Sequence, residues 1–363
     1  MERVQATTLA GRVLCGYQAW FNAEGDGSEV GWRHWLHSGS TRASCDLWPD
    51  TTELGDDELF ASPLRMADGS RARLYSGSNP ATVDRHFLWM QQYGIDGVFL
   101  QRFVNELRVP ELLTVRNKVI ACVKRAASEH GRVFCIMYDV SGAAAGSVLQ
   151  TIKDDWDALN ADTDALMSSP GYLHHGAKPV LGLWGFGFVD RPEPGAESVL
   201  ELVRHLQQHA FVVGGTPSCW RAGGGDTMPG YGQVFRAFDC ICPWSVGRFA
   251  SASACDEYYE GRAADDARVC SAQHQAFAPV IWPGFSEGNL HSADGRNCIP
   301  RHGGLFLWRQ AQRAMALRPL FTFVASESSM CIAVFDLRRS LPSLQMRDFV
   351  YLMQPFRPAR VYD

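Results

Sequence analysis

The most constraining feature of this sequence is a regular alternation of short apolar runs with longer amphipathic stretches. Eight runs rich in β-branched and aromatic residues predict strands at 13–21, 97–103, 133–140, 179–188, 211–220, 240–249, 278–285 and 321–325. Apolar residues at helical spacing predict helices at 80–93, 110–130, 148–166, 197–209, 231–238, 257–275 and 304–317. Strands that are apolar on both faces and separated by helices indicate a parallel sheet covered by helices.

The count of eight strands favours a single (β/α)8 TIM barrel, an α/β fold, over an open doubly wound sheet. A nucleotide-binding α/β enzyme, the weaker alternative, needs a Gly-rich turn at a helix N-terminus, whereas Gly25 and Gly27 lie in a long polar loop. That loop, 22–79, is a long insertion after the first strand, and its Trp residues predict a packed lid or cleft wall. We predict an N-terminal tail at 1–11, the barrel at 12–330 and a divergent C-terminal tail at 331–363.

The net charge of the chain and its cysteine content limit the kinds of partner and cofactor that we expect it to bind. The net charge is −5, so there is no excess of Lys and Arg for binding nucleic acid. The polar start of the chain carries no signal-peptide core and no run long enough to span a bilayer, so we expect a monomer without membrane contact and, by default, a cytoplasmic location. The 11 Cys residues are odd in number and scattered in apolar runs, which favours buried thiols over disulfides. Cys240 and Cys242 form no zinc knuckle, and we expect neither metal nor cofactor.

Aromatic and polar side chains close the predicted strands. In a barrel the C-terminal strand ends carry the active site. Indole faces stack on the C–H groups of sugar rings while polar side chains bond the hydroxyls, so we predict a carbohydrate-binding cleft, although Trp and Tyr at strand ends can also simply cap the core. The predicted substrate-binding residues are Tyr17, Trp20, Gln101, Arg102, Tyr138, Trp184, Trp220, Arg221, Trp244, Arg248 and Trp282.

Glycoside cleavage generally uses two carboxyl groups, one protonated and one ionised. The candidates are Asp139 after the third strand, Glu287 after the seventh and Glu327 after the eighth. Each can also be a solvated loop carboxylate or a helix cap. The pair His174 and His175 precedes the fourth strand, which places it at the opposite end of the barrel and favours a structural role.

Several runs resemble, in order, glycoside hydrolase family 71/99-like proteins, which are relatives of the endo-α-mannosidases and are often described as xylosidases or arabinosidases. The runs are GYQAWF (16–21), YGIDGVFLQRF (93–103), CIMYDVSG (135–142), YLHH (172–175), WGFG (184–187), PWSVGR (243–248) and PGFS (283–286). The resemblance covers about residues 12–317. It implies a (β/α)8 barrel that cleaves O-glycosidic bonds of an oligo- or polysaccharide by a carboxylate-based mechanism.

The chain departs from these relatives at the eighth strand. They close it with a motif resembling FDExDEGTA, whose two glutamates look like the catalytic base and acid. Across a short gap, Glu327 matches the first glutamate and Met330 occupies the second position. The resemblance therefore implies that Glu327 is the base and that the acid is missing, unless Asp139 or Glu287 supplies it. The alternative is a catalytically impaired, carbohydrate-binding barrel.

Overall fold

The computed structural model describes residues 3–46, 48–161, 166–286, 288–291 and 298–325. Its strands are β1 Arg12–Tyr17, β2 Leu59–Arg65, β3 Arg71–Tyr75, β4 Gly97–Phe103, β5 Val133–Asp139, β6 His174–His175, β7 Lys178–Trp184, β8 Phe211–Thr216, β9 Cys240–Pro243, β10 Ala276–Phe277, β11 Val280–Ile281, β12 Phe285–Ser286, β13 Cys298–Ile299 and β14 Phe321–Val324. Its helices are α1 Pro80–Tyr93, α2 Pro110–His130, α3 Val148–Asn160, α4 Ala196–Gln207, α5 Gly232–Ala237, α6 Ala252–Glu257, α7 Ala264–Ala272, α8 Gly288–His291 and α9 Leu305–Ala316. Short 3₁₀ turns lie at Asp56–Glu58, Leu166–Ser168 and His302–Gly304.

Nine strands form a curled, parallel α/β sheet in the spatial order β10-β9-β8-β7-β5-β4-β1-β14-β11. Every neighbouring pair along this path is parallel, and the short β6 adds to β7 in the antiparallel sense. The end strands β10 and β11 belong to one segment, 276–281, which pairs with β9 at its start and with β14 at its end. All seven residues of β4 and of β5 are buried, as expected when helices cover a parallel sheet.

The predicted strands begin within about one residue of the observed ones, apart from the seventh, but most extend too far at their C-terminal ends. The runs predicted at 13–21, 211–220 and 240–249 end as strands at Tyr17, Thr216 and Pro243. The aromatic residues beyond these points lie in loops. The predicted strands include them because buried loop residues and buried strand residues give the same apolar pattern in the sequence.

Local chemistry marks both ends of α1, whereas the helix predicted at 148–166 ends at Asn160 as α3. Pro80 opens α1 behind Asn79, whose side chain accepts from the N–H of Ala81 at 2.9 Å, and α1 ends at Gly94 in the left-handed conformation. The helix predicted at 257–275 is instead composed of α6, a π-helical turn at Tyr258–Ala263 and α7. Among the described helices, none combines the length and apolar character needed to cross a membrane.

The insertion between β1 and α1 has an apolar cluster of its own. The antiparallel hairpin β2–β3 packs against the buried rings of Phe21 and Trp35. The indole N–H of Trp35 donates to the carbonyl of Tyr75 at 2.8 Å, which ties the loop to the hairpin. The insertion is therefore packed rather than merely long, as its Trp content predicts.

One carboxylate fastens this insertion to a distant loop. Asp46 accepts hydrogen bonds from the N–H groups of Gly288 and Asn289, both at 2.6 Å, and from the hydroxyl of Ser286. The two N–H groups belong to the first residues of the one-turn helix α8, where N–H groups have no partner within the helix. The side chain of Asn289 in turn donates to the carbonyl of Cys45 at 2.9 Å.

We predict that Asp46→Ala speeds hydrogen exchange at the amides of Gly288 and Asn289, because both lose their acceptor at a cost of about 1–3 kcal/mol each. Hydrogen-exchange mass spectrometry of peptides covering 284–291 measures this. Asp50→Ala is the matched control, since the hydrogen bonds of the Asp50 side chain within the described parts of the chain go to its neighbour Thr52. Equal exchange in both variants would contradict the assigned contact.

Candidate active site

A cavity of about 690 Å³ opens at the C-terminal ends of the parallel strands. Strands of the parallel sheet and the loops after them contribute to its lining, including Gly16 and Gln18 from β1, Gln101 and Phe103 from β4, Met137, Asp139 and Ser141 from β5, Trp184 from β7, Trp244 and Arg248 after β9, and Phe323 and Ala325 at the end of β14. Of the predicted site residues, the cavity therefore brings together Asp139, Trp20, Gln101, Trp184, Trp244 and Arg248.

Alternation along the strands decides which side chains reach this cavity. On β4, Gln101 and Phe103 line the cavity, while Arg102 between them is directed to the helix layer. On β5, Met137 and Asp139 line it, while Tyr138 faces outward. Consecutive strand residues cannot both point inward. Of the neighbouring residues predicted for the site, Gln101 and Asp139 therefore face the cavity, and Arg102 and Tyr138 face the helix layer.

Arg102 and Tyr138 meet at one carboxylate in the helix layer. The guanidinium of Arg102 bonds both oxygens of Asp155 on α3, with Nε at 2.9 Å from Oδ2, and the hydroxyl of Tyr138 donates to Oδ2 at 2.7 Å. Arg102 also donates to Asn117 on α2 at 3.2 Å. Both side chains are buried and do not make the predicted substrate contact. With Asp155 they form a polar cluster between the sheet and the helices, which we call the seam.

Four further predicted residues are engaged away from the cavity. Tyr17 bonds the ring of the buried His86 at 2.9 Å, and burial lowers the pKa of His86 to about 4. Trp282 is buried against Phe249 and Phe306. Trp220 is buried, and its neighbour Arg221 donates to Asp266 on α7 at 2.7 Å. These four residues do not line the cavity as predicted, because their side chains face the helix layer or an outer loop.

Glu287 and Glu327 lie outside the described residues, as do Met330 and 331–363. Phe285, two positions before Glu287 in the sequence, and Ala325, two positions before Glu327, line the cavity. His174 and His175 lie at the N-terminal end of β7, opposite the cavity, where His175 accepts from the N–H of Leu9 at 3.3 Å. Their predicted placement is confirmed.

Asp139 is a buried carboxyl group in this cavity. Burial raises its pKa, against the opposing effects of hydrogen bonds from Ser141 and Gln101 and of the charge on Arg191. The N–H of Ser141 donates to Oδ1 at 2.7 Å and the amide of Gln101 donates to Oδ2. A carboxyl group with a raised pKa holds its proton closer to neutral pH, which is the property required of a general acid.

Asp226 is a second cavity carboxylate, and sequence reasoning missed it. Burial alone would raise its pKa, but hydrogen bonds from Ser218 and Cys219 and the charge of Arg248 lower it. The N–H groups of Ser218 and Cys219 donate at 2.9 and 3.0 Å, the Ser218 hydroxyl donates at 2.8 Å, and Arg248 lies at 2.8 Å. The residue sits in a loop ten positions after β8, where a search of strand ends does not reach; the glycine run at 223–225 was the available signal.

The aromatic residues of the cavity differ in how much ring face they offer. Trp20 is sandwiched between Phe103 at 4.8 Å and His34 at 3.9 Å, so it presents an edge rather than a face. Trp184 stacks on Phe323 at 5.4 Å, and Trp244, which is half-buried, meets Trp184 edge to face. The large ring of Trp184 is accommodated because Gly215 on the neighbouring strand has no Cβ, which would lie 1.9 Å from the indole.

A buried ion pair supports the segment that carries Trp20. Arg116 on α2 bonds Glu106 at 2.6 Å and donates to the carbonyl of Ala19 at 2.9 Å. His34 lies 4.0 Å from the same carboxylate. Although burial alone would raise it, the pKa of Glu106 is lowered to about 2 by its hydrogen bonds with His34 and Arg116. The ion pair thereby holds Ala19, whose φ of 45° is unfavourable for a residue with a side chain.

Of the comparisons with known proteins, the one with solved structures agrees with this architecture. A scan against protein-family models finds no match, and a search of curated proteins finds none either. Among solved structures, the GH99 endo-alpha-mannosidase from Bacteroides thetaiotaomicron in complex with BIS-TRIS-propane is similar with a TM-score of 0.58 at 14% identity, over 87% of this chain and 83% of that one. A second structure of a GH99 endo-alpha-mannosidase from that organism gives 0.57 at 13% identity, over 87% and 84%. This similarity shows a shared fold, the α/β architecture of TIM-barrel glycoside hydrolases.

We predict that Arg116→Met lowers the free energy of unfolding by about 3–5 kcal/mol, because it leaves the Glu106 carboxylate buried without its cation. Chemical denaturation measures the change. Arg125→Met on the same helix is the control: its pair with Glu129 is exposed, and we expect a change of about 0.5 kcal/mol or less. Equal effects of the two substitutions would show that the Arg116 pair does not support the fold.

Proposed function

We propose that this chain is a glycoside hydrolase that cleaves O-glycosidic bonds of an oligo- or polysaccharide at the C-terminal face of a (β/α)8 barrel. In this fold β10 and β11 count as one interrupted strand, which with β1, β4, β5, β7, β8, β9 and β14 gives eight. The pairing of that interrupted strand with both β9 and β14 supports a closed sheet. The fold shared with two GH99 endo-alpha-mannosidases supports the same class of activity.

The observation that carries this proposal is the environment of Asp139. The carboxyl group is buried, its pKa is raised, and it lines an open cavity with indole rings nearby. Gln101 and the backbone of Ser141 fix its orientation without supplying a cation. Asp139 therefore has the properties of the acid that protonates a departing sugar oxygen.

The reaction also requires an ionised carboxylate. Asp226 is ionised, but its two oxygens already accept from three groups of Ser218 and Cys219 and from Arg248. We therefore assign Asp226 to orienting Arg248, and Glu327 to the role of base or nucleophile. Glu287, which follows the cavity residue Phe285 by two positions, is the second candidate.

Charge in the cavity favours a neutral sugar. Its arginines at 191 and 248 lie within 2.8 Å of the carboxylates of Asp190 and Asp226, so both cations are already balanced. The polar groups left for a ligand suit hydroxyl groups, and Trp244 offers an apolar surface for a ring face. No metal or cofactor takes part in this proposal.

The second candidate function is carbohydrate binding without catalysis. Met330 favours it, because this residue occupies the position of the second glutamate in the resembling motif and cannot transfer a proton. The two functions differ in whether turnover accompanies binding. Binding of a sugar with no turnover by the unaltered protein would support the second.

We predict that Asp139→Asn lowers kcat by about 10²–10⁴-fold, the usual contribution of a general acid, while the amide matches the carboxyl group in size. The assay is hydrolysis of α-mannosides, β-xylosides and α-arabinosides, as aryl glycosides and oligosaccharides. Asp50→Asn, at a residue that is not part of the cavity lining, is the control. Undiminished turnover in Asp139→Asn would remove Asp139 from the mechanism.

The pH profile provides an independent prediction. Because the pKa of Asp139 is raised and the acid must be protonated, kcat should fall as the pH rises through that pKa. The same sign holds for stability: the unfolded chain has the lower pKa, so Asp139 stabilises the fold least at high pH. In Asp139→Asn the high-pH limb of the activity profile should disappear. A profile with an unchanged high-pH limb would assign that limb to another group.

We predict that Glu327→Gln abolishes turnover while the free energy of unfolding changes by about 1 kcal/mol or less, because we assign Glu327 to the chemistry and not to packing. Hydrolysis assays and denaturation of the same preparation give both values. Glu287→Gln distinguishes the two glutamates, since only one of them serves as the ionised partner. Full activity in both variants would exclude both glutamates.

A further inference from the structure

A second cavity of about 670 Å³ lies beside the first. It is lined by the loop after β8 and by the α6 region, including Ser218, Cys219, Phe249, Glu257, Tyr258 and Arg262. It is thus assembled from loops that follow the strands, on the same face of the sheet as the candidate active site.

The two cavities share one ion pair. Asp226 and Arg248 line both cavities, and their side chains meet at 2.8 Å. The pair therefore stands between the candidate active site and the second cavity. A ligand that spans both cavities would lie against this pair.

Arg262 is the polar group of the second cavity with unused hydrogen-bonding capacity. One terminal nitrogen contacts the Cys219 sulfur at 2.9 Å and the Ser218 hydroxyl at 3.4 Å. Across the described parts of the chain, no carboxylate lies within salt-bridge distance of this guanidinium, unlike those of Arg191, Arg221 and Arg248. Five N–H groups in a planar fork leave donors free for ligand oxygens.

The charges of the other residues that line this cavity favour a neutral ligand over an anionic one. Arg248 and Arg262 are balanced by Asp226 and Glu257, so the cavity carries no net charge. Glu257 adds an exposed acceptor, and the rings of Phe249 and Tyr258 lie 5.0 Å apart as an apolar wall. Donors, an acceptor and a ring wall together suit the hydroxyls and C–H faces of a sugar.

We propose that this second cavity is an additional sugar subsite, which holds the part of a neutral glycan that extends past the Asp226–Arg248 pair, with Arg262 as its main hydrogen-bond donor. The inference rests on the proposed carbohydrate function and goes beyond it by giving the protein a preference for chain length. Short glycans occupy the first cavity, and longer ones gain contacts in the second.

The test compares a disaccharide with a tetrasaccharide, in α-mannose and β-xylose series. Isothermal titration calorimetry gives dissociation constants in the Asp139→Asn background, which blocks turnover. We expect the tetrasaccharide to bind about tenfold more tightly, and Arg262→Ala to remove most of that gain while disaccharide affinity changes less than twofold. Arg262→Lys, which keeps the charge but not the planar fork, should retain part of the gain. Arg268→Ala is the control, since Arg268 is exposed and, among the residues that the structure describes, pairs with Asp265.

The outcomes separate the subsite from the function. Equal affinity for both lengths in both series, or a gain for the longer glycan that survives Arg262→Ala, would overturn the subsite and leave the proposed function standing. Binding of neither length in either series would overturn the proposed function and the subsite with it. Thermal unfolding of each variant checks that the fold is intact, and Arg262→Lys supplies the comparison if Arg262→Ala fails to fold.

Discussion

Burial of both faces of a parallel sheet is the constraint on which this structure depends. Each strand residue faces either the inner side of the curled sheet or the helices that cover its outer side. On neither side can an unpaired polar group form hydrogen bonds with bulk water. On β4 and β5 every residue is buried, so each polar side chain there needs a partner inside the protein. The seam and the candidate active site are two solutions to this requirement.

On the helix side, the solution is charge pairing. Arg102 meets Asp155, and Arg116 meets Glu106, in each case across two different elements. Such pairs compensate the cost of removing charges from water and fix how helix and strand are aligned. On the cavity side, the hydrogen bonds that Asp139 accepts from the described residues come from neutral donors, Gln101 and Ser141, and Arg191 acts on it through its charge. Burial raises the pKa of Asp139, and its neutral hydrogen-bond partners contrast with the guanidinium groups that Asp155 and Glu106 meet.

The loops beyond the strands complete the site through contacts that are distant in sequence. Asp46 fixes the segment that begins at Ser286, next to the cavity residue Phe285, across about 240 positions. Asp226 orders the loop after β8 and also holds Arg248 from the loop after β9. The walls of the cavity are therefore held by carboxylates that take no part in the proposed chemistry, and rigid walls are what a binding site needs for orientation.

The sequence by itself determined the succession of strands and helices, because apolar periodicity, first-turn prolines such as Pro80 and left-handed glycines such as Gly94 act within a few residues. It also placed Asp139, Gln101 and Trp184 at strand ends. Only the tertiary structure decided which neighbour of each pair faces the cavity, since Arg102 and Tyr138 turn to Asp155 through contacts between separate elements. It alone brought Asp226 to the cavity, because a loop residue is positioned by the strands that flank it and by Arg248 rather than by local pattern.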